Sequence, residues 1–243
     1  MKKILLLLSG CVLLLYSCKK DQKQDKNGKN DSIVKNIKTD SIHSLSEQPT
    51  QSLQTGKKPS DLVPDGYEIQ YDAEGDLNLD GMADAALIVR KKEDTLARRK
   101  MLILLKNIDQ TYRLYKTSDT VLPDEYNESG YKIHDPEDIA IEKGELHISL
   151  YDVGPYGNQF SRFKYMDGNL ILSYIETYNM GAGSHSAMFY LPMKGKVTHE
   201  TINTMEEEMP AESKTSSIKK QRFLFENASP DDIIQKVYDS VNE

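Results

Sequence analysis

Cysteine is nearly absent from this chain. Its 243 residues include two, Cys11 and Cys18, both close to the start. From residue 19 onward there is no thiol. That excludes a disulfide framework, a cysteine nucleophile and a thiolate-bound metal. Long apolar runs are also lacking. The leading one, Ile4 to Tyr16, is shorter than the roughly 20 residues a membrane-spanning helix needs. Positive charge is in deficit, with 31 Lys and Arg against 38 Asp and Glu and a net charge of −7. No basic patch is interleaved with aromatics, and an acidic chain repels nucleic acid and anionic lipid. Catalytic signatures are missing too. The histidines at 43, 134, 147, 185 and 199 form no His-x-x-x-His pair, and Ser184 and His185 are mere neighbours in sequence. There is no Gly-x-Ser-x-Gly elbow, and Gly181-to-Gly183 lacks the Lys-Ser/Thr ending of a phosphate loop.

What is present begins with a leader. Met1-Lys2-Lys3 followed by about a dozen apolar residues reads as a secretory signal over residues 1–17. Leu15-Tyr16-Ser17-Cys18 resembles a bacterial lipobox, in which the cysteine is lipidated and becomes the first residue of the mature protein. Leu8-Ser9-Gly10-Cys11 resembles it as well, but cleavage there would leave the apolar stretch from Val12 to Tyr16 on the product. Cys18 is therefore the expected anchor, with an ordinary secreted protein as the alternative. Losing Lys2 and Lys3 would take the net charge from −7 to −9. The resemblance implies a lipid-anchored protein of a Gram-negative envelope, on the outer membrane or its periplasmic face. Residues 18–63 hold mostly Lys, Asp, Gln, Asn, Ser and Thr, which cannot bury enough apolar surface to offset ordering entropy. They are expected to form a disordered tether spanning about 35–40 Å root-mean-square. Asp31-Ser32-Ile33 and Asp40-Ser41-Ile42 resemble short envelope O-glycosylation acceptors.

From residue 64 the pattern is that of strands. Tyr67-Glu68-Ile69-Gln70-Tyr71 alternates, as a half-buried strand does. Ala85 to Val89 and Met101 to Leu105 are short continuous apolar runs, the pattern of strands buried on both faces. Hairpins follow at Lys143-Gly144, at Asp167-Gly168-Asn169 and at Lys194-Gly195, each between apolar alternations. The expected fold is mainly β, an antiparallel meander of hairpins forming a curved sheet or sandwich over residues 64–203. Residues 204–243 are expected to hold a polar excursion to about Ser217, a strand at Gln221 to Phe225, and a short C-terminal helix. Ser229 caps that helix, Pro230 enters its first turn, and Ile233, Ile234, Val237 and Val241 make its apolar stripe.

One stretch carries explicit ligand chemistry. In Asp76-Leu77-Asn78-Leu79-Asp80-Gly81-Met82-Ala83-Asp84, oxygen-bearing side chains stand at loop positions 1, 3, 5 and 9, with glycine at 6. Asp76, Asn78 and Asp80 turn toward one centre, Met82 offers its carbonyl, and Asp84 binds directly or through water. Hard oxygens in a flexible, charged loop favour calcium over magnesium. Position 12 is Leu87, so the bidentate glutamate of a helical calcium sensor is missing, and affinity is expected near 10⁻⁵–10⁻³ M, roughly that of extracellular modules. A metal-free turn rich in Asp, Asn and Gly is the alternative.

The same nine residues, followed by Ala85 to Val89, resemble the repeat core of FG-GAP and VCBS-type proteins. The order of loop, apolar strand, hairpins and glycine-aromatic stretch over roughly residues 67–203 is similar to bacterial envelope lipoproteins with a single such loop. The resemblance implies that calcium caps a β-hairpin. One copy is present, too few for a propeller.

Two further loops combine aromatics with small polar residues, 152–160 and 178–186. Longer connecting loops are the plainer reading of these stretches; Tyr156, Asn158, Phe160, Tyr178 and His185 are the candidates for a binding rim. The expected function is a non-catalytic binding or structural module of the cell envelope, stabilised by one calcium ion. It would meet the membrane through lipid on Cys18 and an envelope protein or glycan through the rim, and it would not meet nucleic acid. The alternative is an envelope hydrolase acting on glycan or peptide between the two loops, with Asp152 and His185 in its site.

Overall fold

A computed structural model describes residues 54–153 and 157–242, all within one unit, Thr50–Glu243. The leader, Cys18 and most of the expected tether lie outside the described residues, as does Tyr156. The fold is mainly β: two antiparallel sheets and one C-terminal helix. The first sheet holds β1 (Thr55–Gly56), β2 (Tyr67–Gly75), β3 (Asp84–Lys91), β4 (Lys100–Lys106) and β5 (Tyr112–Ser118), in the order β1-β5-β4-β3-β2. The second holds β6 (His134–Glu142), β7 (Glu145–Asp152), β8 (Asn158–Met166), β9 (Asn169–Met180), β10 (Ser184–Leu191), β11 (Lys196–Asn203) and β12 (Ala211–Ser217), paired in sequence order. Helix α1 spans Pro230–Asn242.

The hairpins form where the sequence places them. Lys143 and Gly144 have φ of 52° and 78°, and Asp167 and Gly168 have 51° and 69°. Two successive positive φ values give the turn whose twist matches its flanking strands. The core lies between the sheets. Ala86, Ile88, Met101 and Ile103 of the first sheet join Ile148, Leu150, Phe163, Leu172, Ile175 and Met188 of the second, together with Ile233 and Val237 of α1. The apolar runs of β3 and β4 are buried on both faces. Their other phase, Ala85, Leu87, Val89, Leu102 and Leu104, forms a smaller cluster with Leu62 and Tyr112.

That second cluster corrects the expected tether boundary. Residues 54–63 are folded: Thr55 and Gly56 pair with Arg113 and Tyr112, and a 3-10 turn at Pro59–Leu62 buries Leu62 to 4% exposure. Polar composition hid this. One leucine, with Val63 beside it, helps cover the outer face of β3 and β4, while Asp61 accepts the Lys57 and Lys58 amides at 2.9 and 3.0 Å.

The C-terminal stretch needs a second correction. The strand expected at Gln221 to Phe225 is absent; that stretch makes one isolated bridge, Leu224 to Ile171, and a 3-10 turn at Phe225–Asn227. Phe225 is instead fully buried, edge-on to Phe163 at 5.3 Å. The polar residues Ala211–Ser217 are the strand, paired to β11 over Ile202↔Ala211 to Lys196↔Ser217. An edge strand is held by its backbone ladder and needs no apolar phase, so periodicity cannot reveal it. Helix α1 begins as expected, with Ser229 Oγ accepting the Asp232 amide at 3.4 Å. Ile233 and Val237 enter the core, and Tyr238 meets Thr177 Oγ1 at 3.1 Å. Among the described residues no helix is long and apolar enough to cross a membrane.

Candidate functional site: the 76–84 loop and the sheet rim

The loop joins β2 to β3 and sits where the two sheets meet. Gly75, the last residue of β2, approaches the second sheet so closely that a Cβ there would lie 2.4 Å from the Ile141 carbonyl oxygen. Leu79, with φ of 62°, is pushed outward to 66% exposure and lies over Gly144 in the β6–β7 turn, where an added Cβ would stand 3.1 Å from Leu79 Cγ. Gly81 takes φ of 88°, a conformation glycine adopts without strain.

Side chains fold this loop onto its own amides. Asp76 Oδ1 accepts the Asp80 amide at 3.0 Å and Asp76 Oδ2 the Gly81 amide at 2.9 Å. Asn78 Oδ1 also accepts from Asp80 N, at 3.0 Å, while Asp80 Oδ1 accepts from Met82 N at 2.9 Å. The Asn78 amide donates to Asp80 Oδ2 at 2.7 Å. A carboxylate oxygen has two lone pairs, so each of these keeps one for a cation. Asp76, Asn78 and Asp80 thus form a hard-oxygen set on the outer side of the loop, with the half-buried Met82 beside it.

Asp84 faces the other way. It is fully buried, and its oxygens accept the Leu77, Asn78 and Lys106 amides at 3.0, 3.2 and 2.9 Å. Burial pushes its pKa up, and the three amides offset part of that. Its visible role is to tie the start of the loop to the end of β4. Consistently, no group of three or more His, Cys, Asp and Glu forms a metal cage among the described residues. The loop's outward side-chain set is two carboxylates and one amide oxygen. Those donors fit a hard cation that completes its shell with water.

The rim loops lie at one end of the second sheet. Asn158 and Tyr178 are direct cross-strand partners on β8 and β9. Asn158 Oδ1 accepts the Asp152 amide at 2.8 Å, Phe160 meets Tyr151 edge-on at 5.5 Å, and Tyr178 hydroxyl shares a 2.6 Å hydrogen bond with His185 Nδ1. A shallow pocket of about 290 Å³ is lined by His147, Ser149, Tyr151, Phe160, Arg162 and Glu176 on the outer face. The hydrolase constellation is not assembled. Asp152 lies opposite His134 on β6, whereas His185 is on β10, three strands beyond β7. At about 4.8 Å per strand they stand roughly 14 Å apart.

Sequence reading missed a buried ionic group between the sheets, where β2 and β6 also meet. Arg99 and Glu137 form a bidentate ion pair with both side chains 1% exposed; one arm, Arg99 Nη2 to Glu137 Oε1, is 2.9 Å. Gln70, which falls at the β2 bulge, reaches Glu125 Oε1 at 2.7 Å and Arg99 at 3.4 Å. The available signal was phase: Arg99 is in step with Met101 and Ile103, and Glu137 with Ile139 and Ile141, so opposite charges occupy inward positions.

His134 is buried and His199 half-buried, each with one buried ring nitrogen lacking a partner. Burial lowers both pKa values. The folded chain keeps these rings neutral where the unfolded chain would protonate them. Their contribution is therefore full above about pH 6.5 and declines as pH falls below it. Asp84 and Asp231, raised by burial, act with the opposite sign. Urea midpoints at about pH 7.5 and 5.5 will show a smaller loss in a His134→Gln/His199→Gln variant than in the natural chain. Equal losses would contradict this assignment.

Sheet topology and loop together define a two-sheet antiparallel sandwich with an Asp/Asn-rich loop set at the join. No family model matches the chain, and no curated protein or solved structure does either.

Proposed function

We propose that this protein is a non-catalytic binding or structural module of a Gram-negative cell envelope, lipid-anchored at Cys18 and stiffened by one calcium ion at the 76–84 loop. The observation that carries the reading is the outward set of Asp76, Asn78 and Asp80, pre-folded by the amides of Asp80, Gly81 and Met82. A cation there needs little loop rearrangement. It would neutralise Asp76 and Asp80 and brace a connection that touches both sheets through Gly75 and Leu79. The face for a glycan or an envelope protein is the aromatic rim of Tyr151, Phe160, Tyr178 and His185, where aromatic rings stand beside adaptable polar groups.

Thermal unfolding of the full chain in detergent tests the calcium reading. With a dissociation constant near 10⁻⁴ M, about 10 mM calcium adds roughly 2.7 kcal/mol over chelator. That is a rise of about 5–10 °C for a domain of this size. Asp80→Ala will abolish the rise. Identical melting in chelator and calcium would end the reading. The anchor is checked in parallel: Cys18→Ser will move the protein from the membrane to the soluble fraction.

A further inference from the structure

Beneath α1 lies a second cavity, of about 210 Å³, with a chemistry unlike the rim. Two walls come from the helix, Ile233 and Val237, and two from the chain that returns after β12, Ile218 and Phe223. That returning chain is fixed by its backbone. Ile218 N donates to Gly195 O at 2.9 Å and Gln221 N to Pro192 O at 3.0 Å. The cavity is therefore framed by a helix docked into the core and a strap pinned to the β10–β11 turn.

Of the polar residues that line it, Tyr190, Lys219, Gln221, Lys236 and Ser240, three matter most. Tyr190 lines the cavity, is fully buried, and its hydroxyl has no hydrogen-bond partner. A buried donor without an acceptor is costly, and native interiors avoid it. Burial pushes the phenol pKa up, so at neutral pH it remains a donor. The other two groups are Lys219 and Lys236. Neither forms an ion pair among the described residues, and no acidic residue lines the cavity. In a chain of net charge −7, a cavity whose charged lining residues are two exposed lysines is a departure from the surroundings.

We propose that this cavity binds a small carboxylate with an apolar body. The apolar body lies against Ile218, Phe223, Ile233 and Val237. The carboxylate accepts from the Tyr190 hydroxyl, and the flexible Lys219 and Lys236 arms balance its charge. The volume sets the size. At about 210 Å³ it suits the apolar body of a short-chain fatty acid. Apolar walls with a few convergent polar groups are the usual makeup of a small-molecule site.

The test is calorimetric titration of the full chain with hexanoate, with hexanol and acetate as partial probes. Chelator is present throughout, so the outcome is independent of the calcium reading. Hexanoate will bind at least about tenfold more tightly than hexanol, which shares its body, or acetate, which shares its head. Tyr190→Phe will weaken hexanoate about tenfold, the value of one hydrogen bond to a charged acceptor. Lys219→Gln/Lys236→Gln will weaken it by a similar factor and remove its salt dependence. Melting curves of both variants establish that they are folded. The proposal is overturned if hexanoate releases no heat, if hexanol binds equally well, or if either folded variant binds hexanoate as the natural chain does.

Discussion

Arg99→Ala will lower the unfolding free energy by about 3–5 kcal/mol. The pair with Glu137 is 1% exposed on both sides, and removing the cation leaves a carboxylate buried with no compensating charge. Gln70 and the Pro123 carbonyl, which also meet the guanidinium, lose their partner at the same time. Glu137→Ala will cost a comparable amount. The double change Arg99→Met/Glu137→Leu will cost far less than the sum, because an apolar pair of similar volume incurs no desolvation. Urea midpoints of the three variants measure this. If the double variant loses as much as the two singles added together, the pair is not coupled and the account is wrong.

Asp84→Ala will cost about 3 kcal/mol or more, and it will do so in chelator as well as in calcium. Three amides, of Leu77, Asn78 and Lys106, depend on this one carboxylate, and each buried amide left unpaired costs about 1–3 kcal/mol. Asp80→Ala should behave differently. Asp80 is exposed and accepts one backbone amide, so its loss will be felt mainly when calcium is present. The two aspartates look alike in the motif yet separate into a structural group and a ligand group. Unfolding in chelator distinguishes them. If Asp84→Ala is silent without calcium, Asp84 belongs with the ligands after all.

Much of the fold was legible because its determinants are local. Lys143-Gly144 and Asp167-Gly168 announce their turns by chemistry that only positive φ requires, and the uninterrupted apolar runs of β3 and β4 announce burial on two sides. Ser229-Pro230 likewise marks the helix start. Features settled by tertiary contact were not legible. Thr55–Gly56 and Leu62 fold because an apolar sheet face awaits them, not because their own composition favours order. Ala211–Ser217 becomes a strand because β11 offers it a ladder. In the loop, spacing identified the oxygen-bearing residues but not their directions. Asp84 turns inward because unsatisfied amides, including one from distant Lys106, lie on that side. The leader, Cys18 and the expected tether up to residue 53 fall outside the described residues.

The polar strand β12 has one more consequence. It occupies an outer margin of the seven-stranded sheet, and six of its seven side chains are exposed, Glu212 and Lys214 among them. A neighbouring molecule adding itself there would gain main-chain bonds but bury almost no oil, and it would have to strip water from fixed charges. One strand inward, β11 carries the fully buried Val197 and would offer a far stickier border. A segment that contributes little to the interior thus acts as a selvedge that resists edge-to-edge pairing between copies.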